Sequence, residues 1–368
     1  MSQDIRDFVP ASCDLLAFGE PAHREPAHRH ARNEMVAQLA GLGFRSIALE
    51  IDRVAALAVD DFVREGVGTL DEVMRDGFTH DFGALDGNRE LVEWMRAYNS
   101  SKPPEDRLAL HGFDAPTETM SAPSPRRYLE HARDYLGLDV DIAGPAGDDE
   151  RWSRQEAILD AAESVGASPE AERLRVLGDD ILGDLYARAP EMVAATSLDA
   201  WRRAEIHLTA GLDLLRYHRM AARPGETSLR VSRLSATRDA IMARNLLGIR
   251  SLGRTFVFAH NTHLQRTPSR WALPGLDLQW NGAGAIVASL GTPYTFIAGS
   301  LGRSSALHLA EPDPDTYEGF LQSRVGLTAT SEIPAARTRT DVKPEQGYLP
   351  LNQTILDGAD AVLHIDAH

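Results

Sequence analysis

With 368 residues, 43% of them hydrophobic and a formal net charge of −16, the chain can bury a sizeable core in one large or two modest domains. The acidic balance, with no run of Lys or Arg, excludes the concentrated positive field that nucleic acid or an anionic membrane requires of a partner. A single cysteine, Cys13, excludes an intramolecular disulfide, and neither a basic-then-apolar leader nor roughly 18 continuous apolar residues is present, so the expected location is cytoplasmic.

The first predicted strand, Leu15–Phe18, is apolar throughout and stops at Gly19, after which Glu20 and His23 stand three residues apart. A carboxylate bonded to an imidazole fixes its tautomer and raises its basicity, so that the ring can deprotonate water near neutral pH. The alternative is a helix N-terminus in which Glu20 complements the dipole and His23 is merely exposed. The helix predicted next places His28, Arg32, Met35, Val36 and Leu39 at spacings of three and four on one face. An arginine on that inward stripe needs a partner, either Glu20, Glu50 or the oxyanion formed when water attacks a carbonyl.

The second strand, Ser46–Ile51, closes on Glu50, which must meet water, a cation or a site because unpaired burial of its charge is costly. Adjoining Asp52 and Arg53 offer a structural ion pair instead. A helix carrying Leu91, Trp94, Met95 and Tyr98 leads to the third strand, Leu108–Phe113, and the cluster His111-Gly112-Phe113-Asp114. His111 is either a packing histidine or a pocket residue, and Asp114 is a supporting residue at the strand end.

From about Pro125 to Leu252 no strand pattern occurs. Leu174, Leu177, Ile181 and Leu185, then Trp201, Ala204, Leu208, Leu212 and Leu215, repeat at helical spacing. The pattern predicts a helical insertion, residues 123–228, between a first core half, 1–122, and a second, 229–368; such insertions commonly roof a pocket. Arg238 and Asn245 lie seven apart on one face of the helix before the fourth strand, Phe256–Ala259. That strand ends in His260-Asn261-Thr262-His263, with Asn261 as a turn residue. A three-residue histidine spacing in a loop does not fix ligand geometry, so zinc held with Glu20, His23 and Glu50 is an alternative and the expectation is no cofactor. Two more strands, Tyr294–Ala298 and Ala361–Ile365, flank a loop-rich stretch, Ala310–Gln353.

Consecutive apolar residues in most of these strands, with helices between them, predict an α/β fold. Its central parallel or mixed sheet is flanked by helices, and the all-helical insertion covers the site. Covalent serine catalysis has no support: Ala298-Gly299-Ser300-Leu301-Gly302 has the wrong order for a nucleophile elbow. Neither a Gly-x-Gly-x-x-Gly fingerprint nor a P-loop is present.

These motifs resemble the erythromycin esterase family of macrolide-inactivating hydrolases, nearly end to end. Gly19-Glu20-Pro21-Ala22-His23 resembles the family's Gly-Glu-x-x-His, and Gly43-Phe44-Arg45-Ser46-Ile47-Ala48-Leu49-Glu50 its second strand. Asn88 to Met95, Gly112-Phe113-Asp114, and Arg238-Asp239 with Met242 and Asn245 follow in the same order. Ala259-His260-Asn261-Thr262-His263 and Ala361 to Asp366 complete it. The resemblance implies His23 as general base, with Glu20 and Glu50 orienting it or the water. Arg32, His260 and His263 would polarise the carbonyl or protonate the leaving alkoxide, without metal and without an acyl-enzyme. Arg24 stands where the family usually has Gly, recharging the site mouth and counting against a large cationic macrolide.

The expectation is a carboxylic ester hydrolase that opens an ester or lactone of a small natural product, in antibiotic resistance or antibiotic biosynthesis. Its predicted catalytic residues are His23, Glu20, Glu50, His260, His263 and Arg32, with Arg24, Asp114, His111, Asn261 and Arg238 around the substrate. Two alternatives use the same residues: a dehydratase or cyclase working by acid–base chemistry, and a protein that sequesters a drug without turnover.

Overall fold

The computed structural model describes residues 4–118, 120–273 and 275–367. Among these residues nine strands form: β1 (Leu15–Glu20), β2 (Ser46–Asp52), β3 (Ala109–Asp114), β4 (Thr255–His260), β5 (Ser269–Leu273), β6 (Leu276–Trp280), β7 (Tyr294–Ser304), β8 (Gly326–Ala329) and β9 (Ala361–Ala367). Seven make one sheet in the order β3-β2-β4-β1-β7-β9-β8, parallel except where β8 runs against β9; β5 and β6 form a separate antiparallel hairpin. This is the mixed α/β sheet expected from the consecutive apolar runs, because helices cover both of its faces. Beyond the six predicted strands the structure adds β5, β6 and β8. Those three are short and lack a sustained apolar run.

One face of the sheet packs Phe18, Leu49 and Phe258 against Val36 and Leu39 of the Pro26–Ala40 helix and Leu91 and Met95 of the Asp86–Ser100 helix. The other packs Val257, Phe296 and Val362 against Met242, Leu246 and Ile249 of the Thr227–Arg250 helix. The middle of the chain is helical, with a core of its own: Leu129, Leu174, Ile181, Leu208 and Leu212 join the Arg126–Leu136, Pro169–Ala187 and Leu198–Ala221 helices. Leu234 packs with Tyr217 of this layer, so the Thr227–Arg250 helix ties the insertion to the sheet. No helix among the described residues is long and apolar enough to cross a membrane.

β1 runs on through Gly19 to Glu20, which pairs in register with His260 at the end of β4. Gly19 is required there. A Cβ on it would lie 2.1 Å from Oδ1 of Asn261, whose amide crosses to Gly299, accepting from its N–H at 3.0 Å and donating to its C=O at 2.9 Å. Gly19→Ala should therefore cost about 1–3 kcal/mol through overpacking, measured as a lowered melting temperature. A melting curve unchanged from the wild type would contradict this account of Gly19.

The sheet order brings the C-terminal ends of β1, β4, β2 and β3 side by side, carrying Glu20, His260, Glu50 and Asp114 in a row. Strand order departs from chain order here, since β4 inserts between β1 and β2. That is where open α/β sheets leave a crevice for ligands.

Candidate active site

The loop between β1 and the Pro26–Ala40 helix sets His23. Glu25 caps that helix by accepting from the Ala27 N–H at 3.0 Å, and Pro26 takes its first position, where no N–H is needed. The chain thus turns sharply after Pro21, and His23 Nδ1 lies 2.8 Å from Glu20 Oε1. Among the described residues no hydrogen-bond partner meets His23 Nε2, and the side chain keeps 38% exposure, enough to meet water or a ligand. The ring packs on two others, Phe82 at 5.1 Å and His260 at 5.2 Å between centroids. Burial opposes its protonation, but the charges of Glu50 and Glu20 prevail and hold its pKa above the ordinary imidazole value.

The second half of the site is a chain of charges. Glu50 is buried, and its Oε2 accepts from the His260 N–H at 2.8 Å. Its Oε1 lies 3.1 Å from Arg238 Nη2 and 3.3 Å from His263 Nε2. On its far side, His263 Nδ1 lies 2.9 Å from Oδ1 of the fully buried Asp239. Asp239 also accepts from Trp280 Nε1 and the Ala283 N–H, both at 2.8 Å. With a carboxylate against each nitrogen, the His263 ring carries two protons. Burial works against that charge, yet Asp239 and Glu50 raise its pKa to about 10. Burial also penalises the Glu50 carboxylate, but His263, His23 and Arg238 hold it well below the usual range. The 3.4 Å approach of Arg238 Nη1 to His263 Nε2 is then a contact between two donors, Arg238 reaching Glu50 through its other terminal nitrogen, Nη2.

Arg238 is held in turn by Asp114, which its Nε reaches at 2.8 Å and its Nη2 grips on the second oxygen. His80 Nε2 is 3.1 Å from Asp114 Oδ2, and its Nδ1 is 2.7 Å from Glu118. Burial opposes ionisation of Asp114, yet Arg238 and His80 keep it at about 2. His260 differs from the other rings. Its Nδ1 caps the Asn261–Leu264 turn, 2.8 Å from Thr262 Oγ1, and burial with the neighbouring charge of His23 pushes it down to about 3. It is a neutral ring.

Glu20, Glu50, Arg29, Phe78, Phe82 and Phe258 line a narrow crevice. Glu20 Oε2 faces it with no hydrogen-bond donor, its nearest cation being Arg29 Nη1 at 3.6 Å. A wider opening adjoins it under the insertion, lined by Asp52, Thr79, Glu118, Arg127 and Tyr128.

The structure brings His23, Glu20, Glu50, His260, His263, Asp114 and Arg238 to one place. It puts the remaining predicted residues elsewhere or in other roles. Arg32 lines the crevice with Glu20 and Glu50 but is fully buried and committed to other partners, donating to Asn88 at 2.6 Å and to the Gly87 carbonyl at 2.7 Å, so it locks two helices together there. Arg29, one turn earlier, is the arginine at Glu20; it also donates to the His23 carbonyl. Asn261 has its amide committed to Gly299. His111 lies inside β3, not at its end, and burial beside Arg53 and Arg64 lowers its pKa to about 3. Arg24 is exposed, next to His23 in the chain. Arg29, His80, Asp239 and Trp280 complete the site without having stood out in the sequence. Asp239 alone carried a hint, adjoining Arg238 on an inward helical face. Among the described residues no group of three or more His, Cys, Asp and Glu side chains is arranged to hold a metal ion.

The sequence profile of the family described as Erythromycin esterase matches residues 40–365. No curated protein matches by sequence. Among solved structures, a Bacillus cereus protein is similar at 16% identity, covering 99% of this chain and 90% of its own, with a TM-score of 0.71. A mutant of the erythromycin esterase EreC in its open conformation is similar at 20% identity, with 97% and 91% covered and a TM-score of 0.66. A succinoglycan biosynthesis protein is similar at 14% identity, with 97% and 88% covered and a TM-score of 0.69. At these identities the structural likeness concerns the fold.

Proposed function

The chain belongs to the erythromycin esterase family, and from that membership and the site's geometry we propose that it is a hydrolase opening an ester or lactone of a small natural product. The observation that carries the proposal is the 2.8 Å Glu20–His23 bond, which leaves His23 Nε2 free beside a protonated His263. Glu20 holds Nδ1–H, so Nε2 is the basic nitrogen and takes a proton from water as the oxygen attacks the carbonyl carbon. The carbonyl oxygen becomes an oxyanion, met by the Arg238 and His263 cations that Glu50, Asp114 and Asp239 keep in place. When the carbon–oxygen bond to the alcohol breaks, His263 gives its Nε2 proton to the leaving alkoxide. The proton held on His23 then returns to His263 through solvent. No side chain attacks the substrate, so no acyl-enzyme forms.

The wider opening under the insertion takes the body of the substrate. The exposed Arg24 guanidinium, next to His23 in the chain, favours neutral or anionic substrates over cationic ones.

The test is a panel of esters and lactones incubated with the protein in ¹⁸O-water and analysed by mass. Hydrolysis places one ¹⁸O in the product carboxylate. A product without the label would transfer the site to elimination or ring closure. Stoichiometric binding with no product would transfer it to sequestration.

A further inference from the structure

The loop 78–84 crosses the mouth of the site in an unfavourable conformation. His80 and Asp81 have φ of 59° and 58°, the left-handed region that non-glycine residues seldom adopt. Two successive residues of this kind persist only where their surroundings hold them, and such strain clusters at functional sites. The hold here is visible. The His80 ring spans Asp114 on β3 at 3.1 Å and Glu118 beyond it at 2.7 Å, and the His80 N–H donates to Glu118 at 3.2 Å. The ring packs on Phe82 at 5.5 Å between centroids, and Phe82 packs on His23 at 5.1 Å.

Resting on the reaction proposed above, we propose that His80 is a positioning residue. By bridging Asp114 and Glu118 it fixes the 78–84 loop, so that Phe82 closes one face of His23 and confines the ring to the rotamer that aims Nε2 at the substrate. Glu20 holds the Nδ1 edge of the imidazole, and the rings of His260 and Phe82 pack against it. The same loop separates the two openings, with Phe78 and Phe82 on the crevice and Thr79 on the wider one.

His80→Asn tests this, because Asn tolerates the left-handed conformation and cannot span both carboxylates. Phe82→Leu removes the ring at the other end. Each should lower kcat by ~10–100-fold, the order expected when a reacting group is misplaced by about an ångström, while KM stays within about twofold. The double variant should lose no more than the worse single one, since both act on one coupling. Phe82→Tyr, which keeps a ring, should lose less than Phe82→Leu. A second readout needs no turnover: the His23 imidazole resonance of the substrate-free protein should broaden and titrate at a different pH in His80→Asn. If that resonance and its midpoint match the wild type, or if the two losses multiply, the proposal is overturned. Since the resonance is read without substrate, its failure is distinguishable from failure of the hydrolase assignment.

Discussion

His23→Ala lowers kcat/KM by about 10²–10⁴-fold, the range that a positioned general base contributes, and leaves the fold unchanged. The loss corresponds to about 3–5 kcal/mol of transition-state stabilisation. It should fall on kcat more than on KM, since Nε2 meets the water proton chiefly in the transition state. The side chain is partly exposed and ends no packing core, so its removal opens no buried cavity. Circular dichroism and the melting curve should superpose on those of the wild type. A His23→Ala protein of full activity would show that another group takes the proton.

Glu50→Gln produces the second large effect, and it acts on three partners at once. The substitution keeps the shape of the side chain and an acceptor for the His260 N–H. It removes the negative charge that faces both Arg238 and His263. Breaking a buried ion pair from one side typically costs about 3–5 kcal/mol, so both stability and activity should fall, with kcat/KM reduced by ~10²-fold or more. The sign of the accompanying pH effect follows from the charge. Glu50 holds the His23 pKa up, so neutralising it moves the midpoint of the limb on which the rate rises with pH to lower pH. A variant with a lowered melting temperature but an unmoved midpoint would show that Glu50 supports the fold without tuning the base.

How much of this was legible beforehand follows from where burial forces a pattern. A parallel sheet covered on both faces needs apolar residues at consecutive positions, and those runs located six strands. A charged residue closing such a run is costly unless something meets it, which is why Glu20, Glu50, Asp114, His260 and His263 stood out. Arg29 and Arg32 show the limit. They lie three residues apart on one helix and are both buried, and only the rotation of that helix decides which one faces Glu20 and which faces the Asp86–Ser100 helix. His80 sits in a loop without periodicity, and its role arises from two carboxylates that lie 34 and 38 residues further along. β5 leaves Trp271 exposed and β6 buries alternate residues, Leu278 and Trp280, so no consecutive apolar run marks them.

The central claim is that His23, oriented by Glu20, is the base that activates water. Its most direct test is the pH dependence of kcat/KM measured beside the NMR titration of the His23 ring. A base must be unprotonated to act, and this ring's pKa lies above the ordinary value of about 6.5. The rate should therefore rise with pH through a single ionisation on the alkaline side of that value, at the same midpoint as the His23 resonance. A rate independent of pH across the His23 titration would contradict the claim.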